Sequence, residues 1–255
     1  MRCRPWTRSE SIAALSLYCK LPLGKISYRN PEVVDLSRLL GRTPSSIALK
    51  LVNFARLDPE LQKRHVSGMR HGSQLDRQIW NEFYGQWEPL AYEGEDVLAR
   101  LRGQPIEVSA KIDFADVPRE GRERQRVIRA RINQAFFRMM VLSSYENRCC
   151  ITGIGVPAIL VASHIVPWAV DKKNRMRPHN GLCLNALHDR AFDQGLLTIT
   201  PDYKVRLASA LLNADKDDAL KNAFLAYADR TIRLPQKYPP DPSLLKYHND
   251  HIFLG

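Results

Sequence analysis

His164, Asn180 and His188 fall in that order within one stretch, Cys149 to Ile199, which reads CCITGIGVPAILVASHIVPWAVDKKNRMRPHNGLCLNALHDRAFDQGLLTI. A neutral imidazole near its ordinary pKa can take a proton from water at physiological pH. A divalent cation held by a second protein group can neutralise a scissile phosphate and the departing 3′-oxygen. One histidine as base and another as ligand would together suit phosphodiester hydrolysis. Each residue alone has a plainer reading: His164 as a satisfied half-buried histidine, Asn180-Gly181 as a turn, His188 as part of a helix cap. Their order and their basic surroundings are what point to chemistry.

Ile159 to Ile165 (ILVASHI) is rich in strand formers and ends where Pro167 interrupts the ladder, which puts His164 at a strand end. The loop Val166 to His179 is polar and basic, with Lys172, Lys173, Arg175 and Arg177. Gly181 to Leu184 predicts a second short strand, and Asn185 suits the cap of a helix from Ala186 to about Asp193, ended by Gly195. Leu196–Thr200 and Lys204–Leu207, around Pro201-Asp202, then predict a hairpin.

Four interlocked submotifs stand in this segment: C-I-T-G at Cys150, S-H-I-x-P at Ser163, N-G-L-x-L at Asn180 and H-x-x-x-F-D at His188. Together, over roughly residues 136 to 207, they resemble the HNH, or ββα-metal, nucleases, in the branch found among restriction-type enzymes. The resemblance implies His164 as general base, Asn180 as the central Asn and His188 as the helix residue that binds metal. It implies a divalent cofactor, Mg²⁺ first and Mn²⁺ as a substitute. Many relatives place Asp or His directly before the base. This chain has Ser163, which leaves Ser163, Asn180 or Asp193 to complete the metal shell. Asn180 has a second reading, as a loop clamp bonded to backbone. Asp193 lies off the helical face of His188 and reads as an anchor for the turn before Gly195. The five cysteines include no C-x-x-C pair, so no structural zinc is expected. His248 and His251 read as a packing or surface tail.

A net charge of +11 favours a polyanionic partner, although by itself it could mean only solubility; the resemblance implies double-stranded DNA. Between Arg119 and Arg138, seven arginines against Glu120 and Glu123 leave a net +5. Arginine tilts that run toward phosphate because its planar fork binds two oxygens. Arg122, Arg126 and Arg129, with Lys172, Lys173 and Arg175 of the loop, are the expected DNA contacts here.

The N-terminal part reads as helical. Thr7–Glu10 (TRSE) has capping-box form, and Asn30-Pro31 starts a further helix that ends at Gly41. Thr43-Pro44 opens the next, with Ile47, Leu51 and Phe54 inward. Two helices joined by a Gly-containing turn are the sequence form of a helix-turn-helix, which would put Ser45, Ser46, Leu49, Lys50 and Asn53 on or near an exposed reading face. A plain αα-hairpin in a helical bundle is the rival reading. Val66–Phe83 would add a short wing and a third helix. His65 and His71 read as surface residues.

The expected class is α+β: a helical, helix-turn-helix or winged-helix-like recognition domain (1–102), a linker (103–118), and a ββα-metal nuclease domain with a basic leading helix (119–255). The expected activity is metal-dependent DNA cleavage of restriction type, with modified DNA a candidate target. The competing reading is a regulatory DNA-binding protein with an inactive HNH-like domain. One site per chain would favour a homodimer for cutting both strands. No apolar run approaches the ~20 residues needed to span a bilayer, so a cytoplasmic, membrane-free protein is expected.

Overall fold

The computed structural model describes residues 4–63, 73–113, 117–118, 120–213 and 218–255. The chain divides into two compact units, Met1–Met140 and Val141–Gly255. Among the described residues no helix is long and apolar enough to cross a membrane.

The first unit is helical. Helix α1, Arg8–Lys20, starts as expected: the Thr7 hydroxyl accepts from the Glu10 amide (3.3 Å), and the Glu10 carboxylate accepts from the Thr7 amide (2.9 Å). It is the central element, with Ile12, Ala14, Tyr18 and Cys19 all buried. Helix α2, Pro31–Leu40, is capped by Asn30, whose Oδ1 accepts from Glu32 N at 2.8 Å. It ends at Gly41 in the left-handed region (φ 60°), a conformation that costs other residues a Cβ clash. Helix α3, Pro44–Leu57, follows under a Thr43 cap and buries Ile47, Leu51 and Phe54.

Helices α4 (Pro59–Lys63), α5 (Gln74–Phe83) and α6 (Trp87–Arg102) complete the bundle. Tyr18, Phe54, Trp80, Tyr84 and Trp87 form a chain of ring contacts through it, with centroids 4.9 to 6.5 Å apart. Helix α5 is the expected third helix. The expected wing, with His65 and His71, lies outside the described residues. The segment 103–118, expected to link two domains, includes a short helix, α7 (Ile106–Ser109). The division between units falls later, inside the basic helix α8, Gly121–Ser144.

The second unit carries two small sheets. Strand β1, Leu160–His164, pairs antiparallel with β2, Gly181–Asn185, in a register that sets His164 opposite Gly181. Helix α9, Ala186–Asp193, follows β2 directly under the Asn185 cap. Strands β3 (Leu197–Ile199) and β4 (Val205–Leu207) form the expected hairpin, followed by α10 (Ser209–Leu212), α11 (Asp218–Ala223) and α12 (Pro242–His251). Leu182, Leu184, Phe192, Leu197, Ile199 and Leu245 are fully buried between these pieces.

Gly195 (φ 68°) permits the tight exit from α9, and a Cβ there would meet the Ile252 carbonyl oxygen at 2.1 Å. His248 turns into this core. It stacks on Phe192 (3.7 Å, 16°), shares a hydrogen bond with the Thr198 hydroxyl at 2.8 Å, and is pushed by burial down to about 4.

Candidate metal and nuclease centre

The loop between β1 and β2 is closed by one side chain. Asn180 is fully buried; its Oδ1 accepts from Val166 N (2.8 Å) and its Nδ2 donates to Val166 O (3.1 Å). The Asn180 carbonyl also takes the Ile165 amide at 3.0 Å. Both ends of the side-chain amide are thus spent on closing the loop. Asn180, expected in catalytic and metal roles or as a loop clamp, is buried here in the arrangement of the clamp. Inside the loop, Asp171 accepts from the Lys173 and Asn174 amides, both at 3.0 Å, and hydrogen bonding from Asn174 lowers its pKa.

His164 sits half-buried at the end of β1. Its Nε2 lies 3.0 Å from the Arg175 carbonyl oxygen. A carbonyl only accepts, so Nε2 carries the proton in the neutral ring and the lone pair falls on Nδ1. Burial lowers the pKa of the ring, against the opposing pull of the Arg175 carbonyl. Trp168 meets the ring edge-on at 5.4 Å, and the Arg175 guanidinium lies over Trp168 at 5.2 Å. The result is an oriented, neutral imidazole of defined tautomer at a strand end.

His188 does not join it. It is 1% exposed, and its two ring nitrogens are both engaged, Nδ1 by the Asn185 amide at 2.9 Å and Nε2 by the Ala223 carbonyl at 2.7 Å. Phe224 and Tyr227 cover the ring edge-on. The ring of His188, expected as a metal ligand, is held here by protein groups at both nitrogens. The residue is the third of its helix, its own amide bonded to the Asn185 cap at 3.0 Å, which turns the ring inward.

It belongs to a buried polar knot with Cys149, Thr152 and Asn185, where Asn185 Nδ2 also approaches Cys149 Sγ at 3.7 Å and Thr152 Oγ1 at 3.4 Å. Burial raises the Cys149 pKa, but hydrogen bonds from His188 and Thr152 outweigh it and bring the thiol to about 7. This knot ties the chain before β1 to the start of α9. Cys19, Cys149, Cys150 and Cys183 are all buried free thiols.

One residue further along α9, the surface chemistry changes. Asp189 is half-buried against Ser163; burial raises its pKa, and the serine hydroxyl opposes that rise. The contact lacks ordinary hydrogen-bond geometry, so Ser163 Oγ remains a buried polar atom without a hydrogen bond. Asp193, four residues on and so on the same helix face, is exposed; burial first and the Asp189 charge second raise its pKa. Asp189 beside the orphaned Ser163 hydroxyl, with Asp193 one turn on along the same helix face, offers oxygen donors only.

Among the described residues no three His, Cys, Asp or Glu side chains converge on a metal position. A sparse set of this kind still suits a hard cation such as Mg²⁺, which keeps several waters and takes one or two protein carboxylates plus a substrate phosphate. Asp189 was not singled out from the sequence. The available signal was its i, i+4 partnership with Asp193, which His188 does not share.

The expected DNA-contacting residues divide. Ser45 is exposed and Ser46 half-buried, at the start of α3. Lys50 is only 2% exposed, sits over Trp6 (4.5 Å), and is paired with buried Asp76. Asn53 donates to the same carboxylate at 3.2 Å. Lys50 is thus removed from any reading face: it lies between Ile47 and Phe54 on the inward side of α3. Arg122, Arg126 and Arg129 are exposed on α8 at i, i+4, i+7, with Arg129 over the Tyr92 ring at 3.8 Å. Lys172 and Lys173 are exposed and Arg175 half-buried.

Residues 149–200 match the family model described as HNH endonuclease. The ββα piece of the second unit is therefore similar to HNH endonuclease domains, and that likeness supports nuclease activity on nucleic acid. No curated protein matches the chain.

Proposed function

We propose that this protein is a metal-dependent DNA endonuclease of restriction type, with His164 as base and Asp189 and Asp193 as the protein's cation ligands. The observation that carries the reading is the Nε2–Arg175 carbonyl bond, which fixes the lone pair of a neutral His164 on Nδ1. Nδ1 takes the proton of the attacking water. Ser163 and the two aspartates hold the negative side of the site, where a bound Mg²⁺ or Mn²⁺ would supply charge for the scissile phosphate and leaving oxygen. Asn180 holds the loop so that Arg175 meets His164. Lys172, Lys173 and Arg175 in the second unit, and Arg122, Arg126 and Arg129 in the first, are the proposed phosphate contacts for double-stranded DNA.

The α2–turn–α3 hairpin, through Ser45, Ser46 and the exposed side of Asn53, is the proposed reader, and modified bases are a candidate target. A homodimer would place one site on each strand. The test is nicking of supercoiled plasmid with Mg²⁺ or Mn²⁺, with EDTA and with His164→Ala. Cutting that needs the metal and falls by ~10²-fold or more in the variant is expected. Unchanged cutting by His164→Ala removes the base. Tight DNA binding without cutting under any metal would favour the inactive regulatory reading.

A further inference from the structure

The first unit holds a cavity of about 500 Å³ between α1, α2, α6, α7 and α8, within the size range of small-molecule sites. Its walls are mostly apolar, including Leu17, Leu36, Leu98, Phe136 and Met139. Lys20, at the last position of α1, projects into it. Its ammonium lies 5.5 Å from the Phe136 ring centroid and makes no ion pair or hydrogen bond among the described residues. Lys20 keeps some accessible surface, as a residue lining an open cavity must, yet protein surrounds it enough for burial to lower its pKa. Glu95 and Glu32 stand near enough to favour the charged form without closing on it. Glu95 is already committed, accepting from the Ser109 hydroxyl at 2.6 Å, and burial raises the Glu32 pKa.

Among the described residues Lys20 makes no close ion pair there, so its ammonium can take an anionic group that enters the cavity. We infer that this cavity binds a small amphiphilic anion, a single carboxylate or sulfonate on an apolar body, with the acid group on Lys20 Nζ and the body against Phe136, Leu36 and Met139. Lys20 supplies the contact for the acid group beside the carboxylates Glu32, Asp35 and Glu95, the last two already paired with Arg102, and the apolar walls give the site most of its contact area.

The test uses the full chain and 8-anilinonaphthalene-1-sulfonate, a sulfonate on an aromatic body, followed by fluorescence titration at pH 7.5. Saturable one-site binding is expected, displaced by decanoate, with decanol and decylamine about tenfold weaker or worse, a ratio set by ~1.4 kcal/mol. Lys20→Met, which keeps the apolar stem, should weaken binding by a similar factor. Ala135→Trp, a substitution at the exposed rim, should block it with an unchanged urea midpoint. Decanol displacing the dye as well as decanoate, or full affinity in Lys20→Met, overturns the inference. If Lys20→Met fails to fold, Ala135→Trp and the three competitors decide alone, and undiminished dye binding in Ala135→Trp counts against it.

Discussion

Replacing Asp189 by Asn separates an aspartate metal site from a histidine one. Asp189 and Asp193 stand one helical turn apart, a Cβ spacing of ~6 Å, at which two like charges repel by up to ~3 kcal/mol at an effective dielectric constant of 20. Asp193 is exposed, so solvent screening cuts this to ~0.5–1 kcal/mol. Both carboxyl pKa values are raised in the folded protein. Their unfavourable contribution is therefore absent at acid pH, where both are protonated, and sets in as pH rises through the folded values. At pH 7 without metal, Asp189→Asn should be more stable than wild type by up to ~1 kcal/mol, the gain fading below the carboxylate range.

Mg²⁺ reverses the order. A cation at a hundred times its Kd stabilises wild type by ~2.7 kcal/mol, a Tm rise of several degrees for a unit of this size. Asp189→Asn should lose most of that rise and ~10²-fold or more of cutting. The assay is differential scanning calorimetry at pH 4.5 and 7, with EDTA or Mg²⁺, beside plasmid nicking. A variant that keeps the full Mg²⁺ shift and full activity would refute the placement of the cation on α9.

Four further outcomes follow from the same structure. Asn180→Ala strands the Val166 amide and carbonyl, so a loss of ~2–4 kcal/mol in urea unfolding is expected, together with reduced cutting that added metal does not restore. Because burial lowers the His164 pKa, the acid limb of kcat/KM should fall below the ordinary histidine value of ~6.5 and vanish in His164→Ala. Lys50→Met should cost ~3–5 kcal/mol by leaving Asp76 charged and buried, while the salt slope of DNA binding by the folded fraction stays as in wild type. Changing Arg122, Arg126 and Arg129 together to Ala should flatten the slope of log K against log salt by up to ~2.7; an unchanged slope would take these arginines off the DNA.

Local signals read well. The Thr7–Glu10 box, the Asn30-Pro31 start, the Gly41 turn, the β1–β2 pair and the Asn185 cap each depend on residues a few positions apart, and each appears where the sequence places it. What did not read depends on distant partners. The metal role of His188 came from the resemblance to HNH nucleases, and Asp189 was not considered. Its inward turn needs the Ala223 carbonyl and the Phe224 and Tyr227 rings, some thirty-five residues later. Lys50 was placed outward by the helix-turn-helix reading, although its spacing from Ile47 and Phe54 already put it on the inward face; Asp76, on another helix, is what makes that tolerable. Asn180 was readable as a clamp, and the buried loop closure decides for that reading.

The carbonyl that accepts the His164 Nε2 hydrogen bond belongs to Arg175, in the same loop that presents Lys172 and Lys173 to solvent. Under the roles proposed above, a polyanion drawing on those lysines would load the very segment whose fold sets which imidazole nitrogen is basic. Grip and trigger would then share one loop, and a change of its length or charge between Val166 and Asn180 is expected to alter proton transfer together with DNA binding.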